Sequence, residues 1–432
     1  MINTPSVNSR QKTYQIIFSG LVILLCGIYF LDFFTPLRLT HDTIRYFRTE
    51  EWMEKGFPSG DNAAKDFLPY GYSSLLWLLS RLHWLHPFML AFINAMYLFG
   101  ALWFVTNIFS GAIGFHQLAF FMMLSWLALK FVITPLSEMQ FIFFSAGALY
   151  FYHIYRLYYC VRYILFGLIF FIAAILTRTV GIVILLAVVF NLLLESRKQI
   201  NVQIRKNWKW VIGVIAGFTI LIYFPEELRI IDYLKYFFKL IKHYGIGVFI
   251  RGIPLHIRDW SELFINTPSS KIKFLPQSVR DGIFILAGIF FFSILFYFIF
   301  NKKIKTPSIV KYYLLVYIIV ILNWPFFDSR FWLPILPFVL AILLQEKGST
   351  VISKMFVIIS RATYIGMGIF ALAYYTYTSF NREALARKQD AGLWRNEYEI
   401  HFFGRILNDT ATQKKTEVIQ LLNKIDKPLI HF

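Results

Sequence analysis

From Tyr14 to Phe34 the chain reads YQIIFSGLVILLCGIYFLDFF, with Asp32 as its single charge. A run of roughly 20 apolar residues can cross a bilayer only as a helix, because each backbone N–H and C=O must find its partner within the segment. Comparable runs recur to residue 378. With 58% of 432 residues hydrophobic, the chain carries more apolar surface than one soluble core can bury. The fold class expected is an all-α polytopic membrane protein. Arg10 and Lys12 precede the first run, as in a secretory leader, but LDFFTP offers no small-residue cleavage site. The run is read as a retained first helix.

Matching each run to the bilayer length predicts about 11 transmembrane helices, over 14–34, 87–109, 115–133, 138–155, 163–177, 180–195, 208–224, 282–300, 312–327, 331–345 and 355–378. The net charge of +19 falls mainly in the gaps, where basic residues orient helices and meet anionic lipid, so nucleic acid is not the expected partner. The clusters are Arg156 with Arg162; Arg197, Lys198, Arg205, Lys206 and Lys209; Lys302, Lys303, Lys305 and Lys311; and Lys347 with Lys354. With a cytoplasmic N-terminus, all four clusters come out cytoplasmic and the C-terminus extracytoplasmic. That result requires YILFGLIFFIAAILTRTVGIVILLAVVFNLLLE to be two short helices meeting near Arg178 rather than one span. Cys26 and Cys160 lie in or beside predicted spans and suit neither a disulfide framework nor a zinc site.

This topology divides the chain into a transmembrane unit, residues 1–378, with outer loops 35–86 and 225–281, and a small extracytoplasmic helical tail, 379–432. GYSSLLWLLSRLHWL in the first loop puts its leucines largely on one helical face, with Trp77 and Trp84 as interfacial anchors. The second loop has helical periodicity and many aromatics. The tail is too short for an independent domain and is expected to pack on the other loops.

Five polar stretches then gather on the outer side. In HDTIRYF, Asp42 and Arg45 are one helical turn apart, so the guanidinium keeps the carboxylate ionised while staying available to an anion. AAKDFLPYGYSSLLWLL offers Lys65 as a second cation, with Tyr70 and Tyr72 either to line a sugar pocket or to anchor a proline-terminated loop at the membrane interface. TPLSEMQFIFF sets Glu138 at a helix mouth, where it could equally be a cap or dipole partner. Arg178 interrupts an apolar run, and an unpaired guanidinium there is costly, so a partner or polar cavity is expected. NWPFFDSRFWLPILPFVL brings Asp328 and Arg330 to another mouth, with Pro334 and Pro337 marking a helix that borders protein or a cavity.

Taken in order, these stretches resemble the integral-membrane glycosyltransferases of the C-type fold (GT-C), the superfamily of aminoarabinose transferase and the protein O-mannosyltransferases. HDTIRYF resembles the family's Asp-containing first outer loop, KDFLPYGYSSLLWLL its Lys/His–Pro–Tyr segment, LSEMQFIFF its second acidic position, LTRTVGIVILL its Arg-bearing helix junction and DSRFWLPILP its late Arg–aromatic–Leu–Pro motif. One proline stands where two are common, and Thr179 follows Arg178 where proline is usual. The resemblance implies a GT-C-like fold, integral to the cell membrane. It implies transfer of a sugar, with inversion, from a polyprenyl-phosphate donor to a lipid, glycan or protein acceptor on the non-cytoplasmic face, beside membrane lipid. Asp42 and Glu138 are then the catalytic candidates, Arg45, Lys65, Arg178 and Arg330 the donor-phosphate ligands, and His41, Tyr46, Tyr70 and Tyr72 the substrate pocket. The resemblance fixes no cofactor, since metal dependence varies in this superfamily; Asp42 and Glu138 could share a divalent cation. Two other classes compete. A polysaccharide polymerase or ligase would rely on Arg229, Arg251, His256 and Arg258 of the second loop, and a lipid or sugar transporter would show paired halves with a midplane site.

Overall fold

The structure, a computed structural model, describes residues 9–58, 60–195, 230–245, 247–301, 304–345, 351–389, 394–407 and 416–426, with 215, 219 and 223. The expected helix 208–224 lies almost wholly outside the described residues, as do Arg229 and the basic residues 197–209, 302–303 and 347. Among the described residues the chain is helical throughout, without a strand.

The helices run α1 Ser9–Asp32, α2 His41–Glu54, α3 Tyr70–Arg81, α4 Pro87–Ile108, α5 Phe115–Met123, α6 Trp126–Val132, α7 Glu138–Tyr158, α8 Val161–Thr177 and α9 Ile182–Glu195. They continue as α10 Ile230–Tyr244, α11 Gly247–Ile265, α12 Gln277–Phe300, α13 Ser308–Leu322, α14 Leu336–Leu343, α15 Val351–Phe380, α16 Arg382–Lys388, α17 Arg395–Phe403 and α18 Thr416–Ile425. Four helices, α1, α4, α12 and α15, are long and apolar enough to cross a membrane, and up to five if α5 and α6 together form one span. The chain thus has the long apolar helices of a membrane protein. Four shorter apolar helices, Val161–Thr177, Thr179–Leu194, Ser308–Leu322 and Ser329–Leu343, fall below a full crossing. Glu138–Tyr158 is long enough, but it carries Glu138, Gln140, His153 and Arg156 and is not among the helices apolar enough to span.

Two expected helices are broken. The run 115–133 forms α5 and α6, bent by 80°. No proline causes the bend. Asn266, at the end of α11, accepts from Trp126 N (2.9 Å) and donates to Leu124 O (2.8 Å), so a distant side chain satisfies the groups the break exposes. The run 331–345 begins instead as a 3₁₀ helix, Ser329–Ile335, before α14. Pro334 and Pro337 each remove an amide donor there, as their positions predict. The apolar run across Arg178 is interrupted where expected. Arg178 is extended (φ −151, ψ 132), a 3₁₀ turn covers Thr179–Gly181, and α9 follows.

Outside the long helices, α2 and α3 pack together. α3 buries Tyr72, Ser73, Leu76 and Leu79 and exposes Trp77, Leu78, Leu82 and Trp84 nearby. The tail leans on α2: Arg48 forks onto both oxygens of Glu417 (2.7 and 2.8 Å), Lys424 lies 3.8 Å from Glu50, and Gln389 donates to Leu39 O.

Candidate functional site: a cavity closed by ion pairs

Thr40 caps α2, its hydroxyl accepting from Thr43 N (3.2 Å). Asp42 sits in the first turn, favourable for a carboxylate at the positive end of the helix. Thr43 donates to Pro135 O (3.2 Å) and Tyr46 bonds Ser137 (2.8 Å), which fixes α2 against the turn before α7. That docking brings Glu138, the first residue of α7, to the side of Asp42.

Three arginines from three parts of the chain converge here. Arg45 donates to Asp42 Oδ1 (2.9 Å) through Nη1 and to Asp66 Oδ2 (2.9 Å) through Nε, and lies over the Phe67 ring at 4.4 Å. Arg178 donates to Glu138 Oε1 (2.7 Å). Arg330 pairs with Asp42 Oδ2 (2.7 Å), stands 3.8 Å from Glu138 Oε1, and has Nε 3.3 Å from Asp328 Oδ2, a contact too poorly angled to be a hydrogen bond. Asp328 also caps the 3₁₀ helix by accepting from Arg330 N (2.9 Å). Both oxygens of Asp42 are therefore held by guanidiniums, while Glu138 keeps one buried oxygen, Oε2, without a hydrogen bond.

These groups line a cavity of about 820 Å³, within the range of small-molecule sites. Its charged lining is balanced: Asp42, Asp66, Glu138 and Asp328 against Arg45, Lys130, Arg178 and Arg330. Burial alone would raise the Asp42 carboxyl, but Arg330 and Arg45 outweigh it and hold the group below the usual carboxylate range. Burial acts the same way on Asp66, and its hydrogen bonds from Arg45 and from the Leu68 amide carry it below that range as well.

No protein-family model, curated protein or solved structure matches this chain. The site is therefore read from its own geometry.

Asp42, Arg45, Tyr46, Glu138, Arg178, Arg330 and His41, all singled out in the sequence, line the one cavity. Tyr70 and Tyr72 do not. Tyr70 stacks on Trp52 (6.1 Å), and Tyr72 is fully buried edge-on behind Tyr46 (5.0 Å), so each supports α2 rather than a ligand. The Lys65 side chain lies outside the described residues; its neighbour Asp66 is the one that meets Arg45. A shared divalent cation does not fit the donor set. Arg330 bridges the two acids, and among the described residues no three His, Cys, Asp or Glu side chains converge. The second-loop residues are elsewhere. Arg251 is exposed, Arg258 pairs with Asp259 (3.0 Å), and the His256 ring bonds Trp324 O (2.7 Å).

Sequence reasoning passed over Asp66 and Lys130. Asp66 adjoins Lys65, and in the sequence a phosphate ligand points to the cation of that pair. Lys130 is a single charge inside an apolar run, WLALKFV, the same signal that marked Arg178. The cavity also collects a row of stacked rings, Phe67 on Tyr236 (6.0 Å) and Tyr236 on Phe326 (5.4 Å), from three separate segments.

Proposed function

We propose that the cavity is the active site of a membrane glycosyltransferase that moves a sugar from a polyprenyl-phosphate donor to a lipid, glycan or protein acceptor, with inversion. In this reading the four shorter apolar helices and α7 join the long ones in crossing the bilayer, the expected helix 208–224 brings the bundle to about 11 crossings, and the cavity opens on the non-cytoplasmic side. One observation carries it: a half-buried carboxylate, Asp42, sits between two guanidiniums, Arg45 and Arg330, in a cavity large enough for a sugar.

The ion pairs suggest how a donor would act on the site. A carboxylate shared by two arginines is a weak base. A phosphate group entering the cavity competes with Asp42 for Arg330, because guanidinium binds phosphate oxygens as readily as a carboxylate. Once Arg330 turns to the phosphate, Asp42 loses the cation that most depresses its pKa and becomes a better proton acceptor for an incoming hydroxyl. Donor binding and base activation are thus the same event. Arg330 then stabilises the charge that grows on the phosphate as the sugar departs, and with so good a leaving group no general acid is needed.

The test follows release of polyprenyl phosphate from a radiolabelled polyprenyl-phosphate sugar, with purified protein and an envelope lipid extract as acceptor. Arg330→Lys, a point charge in place of a fork, should cut turnover and weaken the donor together. Movement of label across a membrane with the donor intact would make the protein a transporter.

A further inference from the structure

The two tyrosines expected to face a sugar, Tyr70 and Tyr72, stand behind α2, yet the cavity has aromatic surface of its own. Phe67 comes from the segment between α2 and α3, Tyr236 from α10, and Phe326 from the segment after α13. All three line the cavity, and each is half-buried, so part of each ring is left to the cavity. Their planes are nearly parallel, 24° between Phe67 and Tyr236 and 14° between Tyr236 and Phe326, with centres 6.0 and 5.4 Å apart. Facing rings in full contact would stand about 3.5 Å apart, so each ring is displaced sideways from the next, and the three form a stepped apolar surface.

That surface meets the ion pairs directly. Arg45, which pairs with Asp42, lies over Phe67 at 4.4 Å. Arg330, the other partner of Asp42, lies over Phe331 at 5.2 Å, and Trp324 meets Phe331 edge-on at 6.5 Å. Phe331 and Trp324 line the cavity too. One cavity thus sets guanidiniums at the edge of an aromatic row. A ligand that uses both is anionic at one end, with a flat, apolar-faced body beside the anion. Aliphatic side chains would serve a prenyl chain as well as rings do. They would not serve a sugar, whose C–H bonds, polarised by the neighbouring oxygens, are drawn to the negative face of an aromatic ring.

We propose that Phe67, Tyr236 and Phe326 form a sugar subsite, on which the C–H face of a pyranose rests while the phosphate it carries meets Arg330. That this sugar is the donor's rests on the transferase reading; the subsite itself requires only that a sugar phosphate binds. A pyranose carries its hydroxyls round the rim, so stacking on the rings leaves them free to meet the polar lining. Through Tyr236, α10 then bears on which sugar is accepted, although it holds none of the charged residues that line the cavity.

The experiment measures binding of glucose, galactose and mannose 1-phosphates, inorganic phosphate and uridine monophosphate to the purified full-length protein in phosphatidylcholine nanodiscs. At least one sugar phosphate should bind more tightly than either inorganic phosphate or the nucleotide. Tyr236→Ala and Phe326→Ala should each weaken that sugar phosphate about tenfold, the order of one aromatic contact, and leave inorganic phosphate unchanged. Tyr236→Phe should retain it, and Arg330→Lys should weaken both probes. If Phe326→Ala does not fold, Tyr236→Ala carries the test. Ring variants that bind sugar phosphates as wild type does, or that lose sugar phosphate and inorganic phosphate equally, would overturn the subsite. So would wild-type protein that binds no sugar phosphate, or that prefers the nucleotide, which would make the row a platform for a base. Ring-dependent binding without sugar transfer would leave the subsite standing and remove the transferase reading; transfer with the donor KM unchanged in both ring variants would do the reverse.

Discussion

A carboxylate shielded from solvent can be held charged or drawn toward its neutral form, and this protein does each. Asp42 is held ionised by Arg330 and Arg45. Asp42→Asn removes that charge with little change of shape, so sugar transfer should fall roughly a hundredfold or more, with the melting temperature measured alongside as the control for folding. Asp259 is the opposite case. Burial and the neighbouring Glu262 push it up to about 7, more than Arg258 draws it down, and its Oδ2 is buried without a hydrogen bond. The folded chain then binds more protons than the unfolded chain between about pH 4 and that value, so stability falls as pH rises across the window. Melting temperatures in detergent should decline from about pH 5 to about pH 8, and Asp259→Asn should flatten the decline. An unchanged slope in the variant would mean that Asp259 is ionised throughout. The i,i+3 pair of Asp42 and Arg45 was legible in HDTIRYF because helical spacing alone puts the two side chains on one face. The pairing of Arg330 with Asp42 was not, since nothing near Arg330 in the chain specifies Asp42.

At the scale of elements, the site depends on close backbone approach around the Arg178 break. A Cβ on Gly71 in α3 would lie 2.7 Å from the carbonyl of Leu176 and 2.8 Å from Thr177 N, backbone that cannot swing aside. A Cβ on Gly181 would similarly meet Ala174 C and Ile175 N at 2.9 Å. Gly71→Ala should therefore cost about 1–3 kcal/mol by overpacking, displace Arg178 from Glu138 and lower activity. Gly27→Ala in α1, where a Cβ meets nothing within 4 Å, should be tolerated, and thermal melting of the two variants side by side checks the contrast. The position of the break was readable from the polar Thr177–Arg178–Thr179 interruption. The 80° bend between α5 and α6 was not, because the groups that stabilise it belong to Asn266, on another element.

Over the whole molecule, the tail packs against α2 and the residues just before it. Arg48 and Glu417 look like its clasp, yet both are substantially exposed, and such a pair is worth at most about 1 kcal/mol. Buried contacts hold the junction instead: Arg38 donates to Thr35, Thr378 and Ser379 (3.0 to 3.1 Å), joining the segment between α1 and α2 to the end of α15. The proposed orientation can be tested with single cysteines in a chain whose Cys26 and Cys160 are replaced by serine. Phe274→Cys should react with a membrane-impermeant reagent from outside, and Arg162→Cys and Lys354→Cys only after permeabilisation. Labelling of Arg162→Cys from outside would invert the topology, and with it the side on which the cavity opens.

By itself the sequence determined the helical character of the chain, its membrane-length runs, the break at Arg178, the Asp42–Arg45 pair and the proline-marked irregularity before α14. Each depends on interactions within a few residues: hydrophobic run length, i,i+3 spacing, a missing amide donor. Only the tertiary structure decided that Arg330 closes on Asp42, that Arg45 takes Asp66, that Tyr70 and Tyr72 stand behind the site and that Lys130 lines the same cavity. A charge buried in an apolar protein is stabilised by whichever counter-charge the packing of distant helices brings within about 3 Å, and that distance is not written in any one segment of the chain.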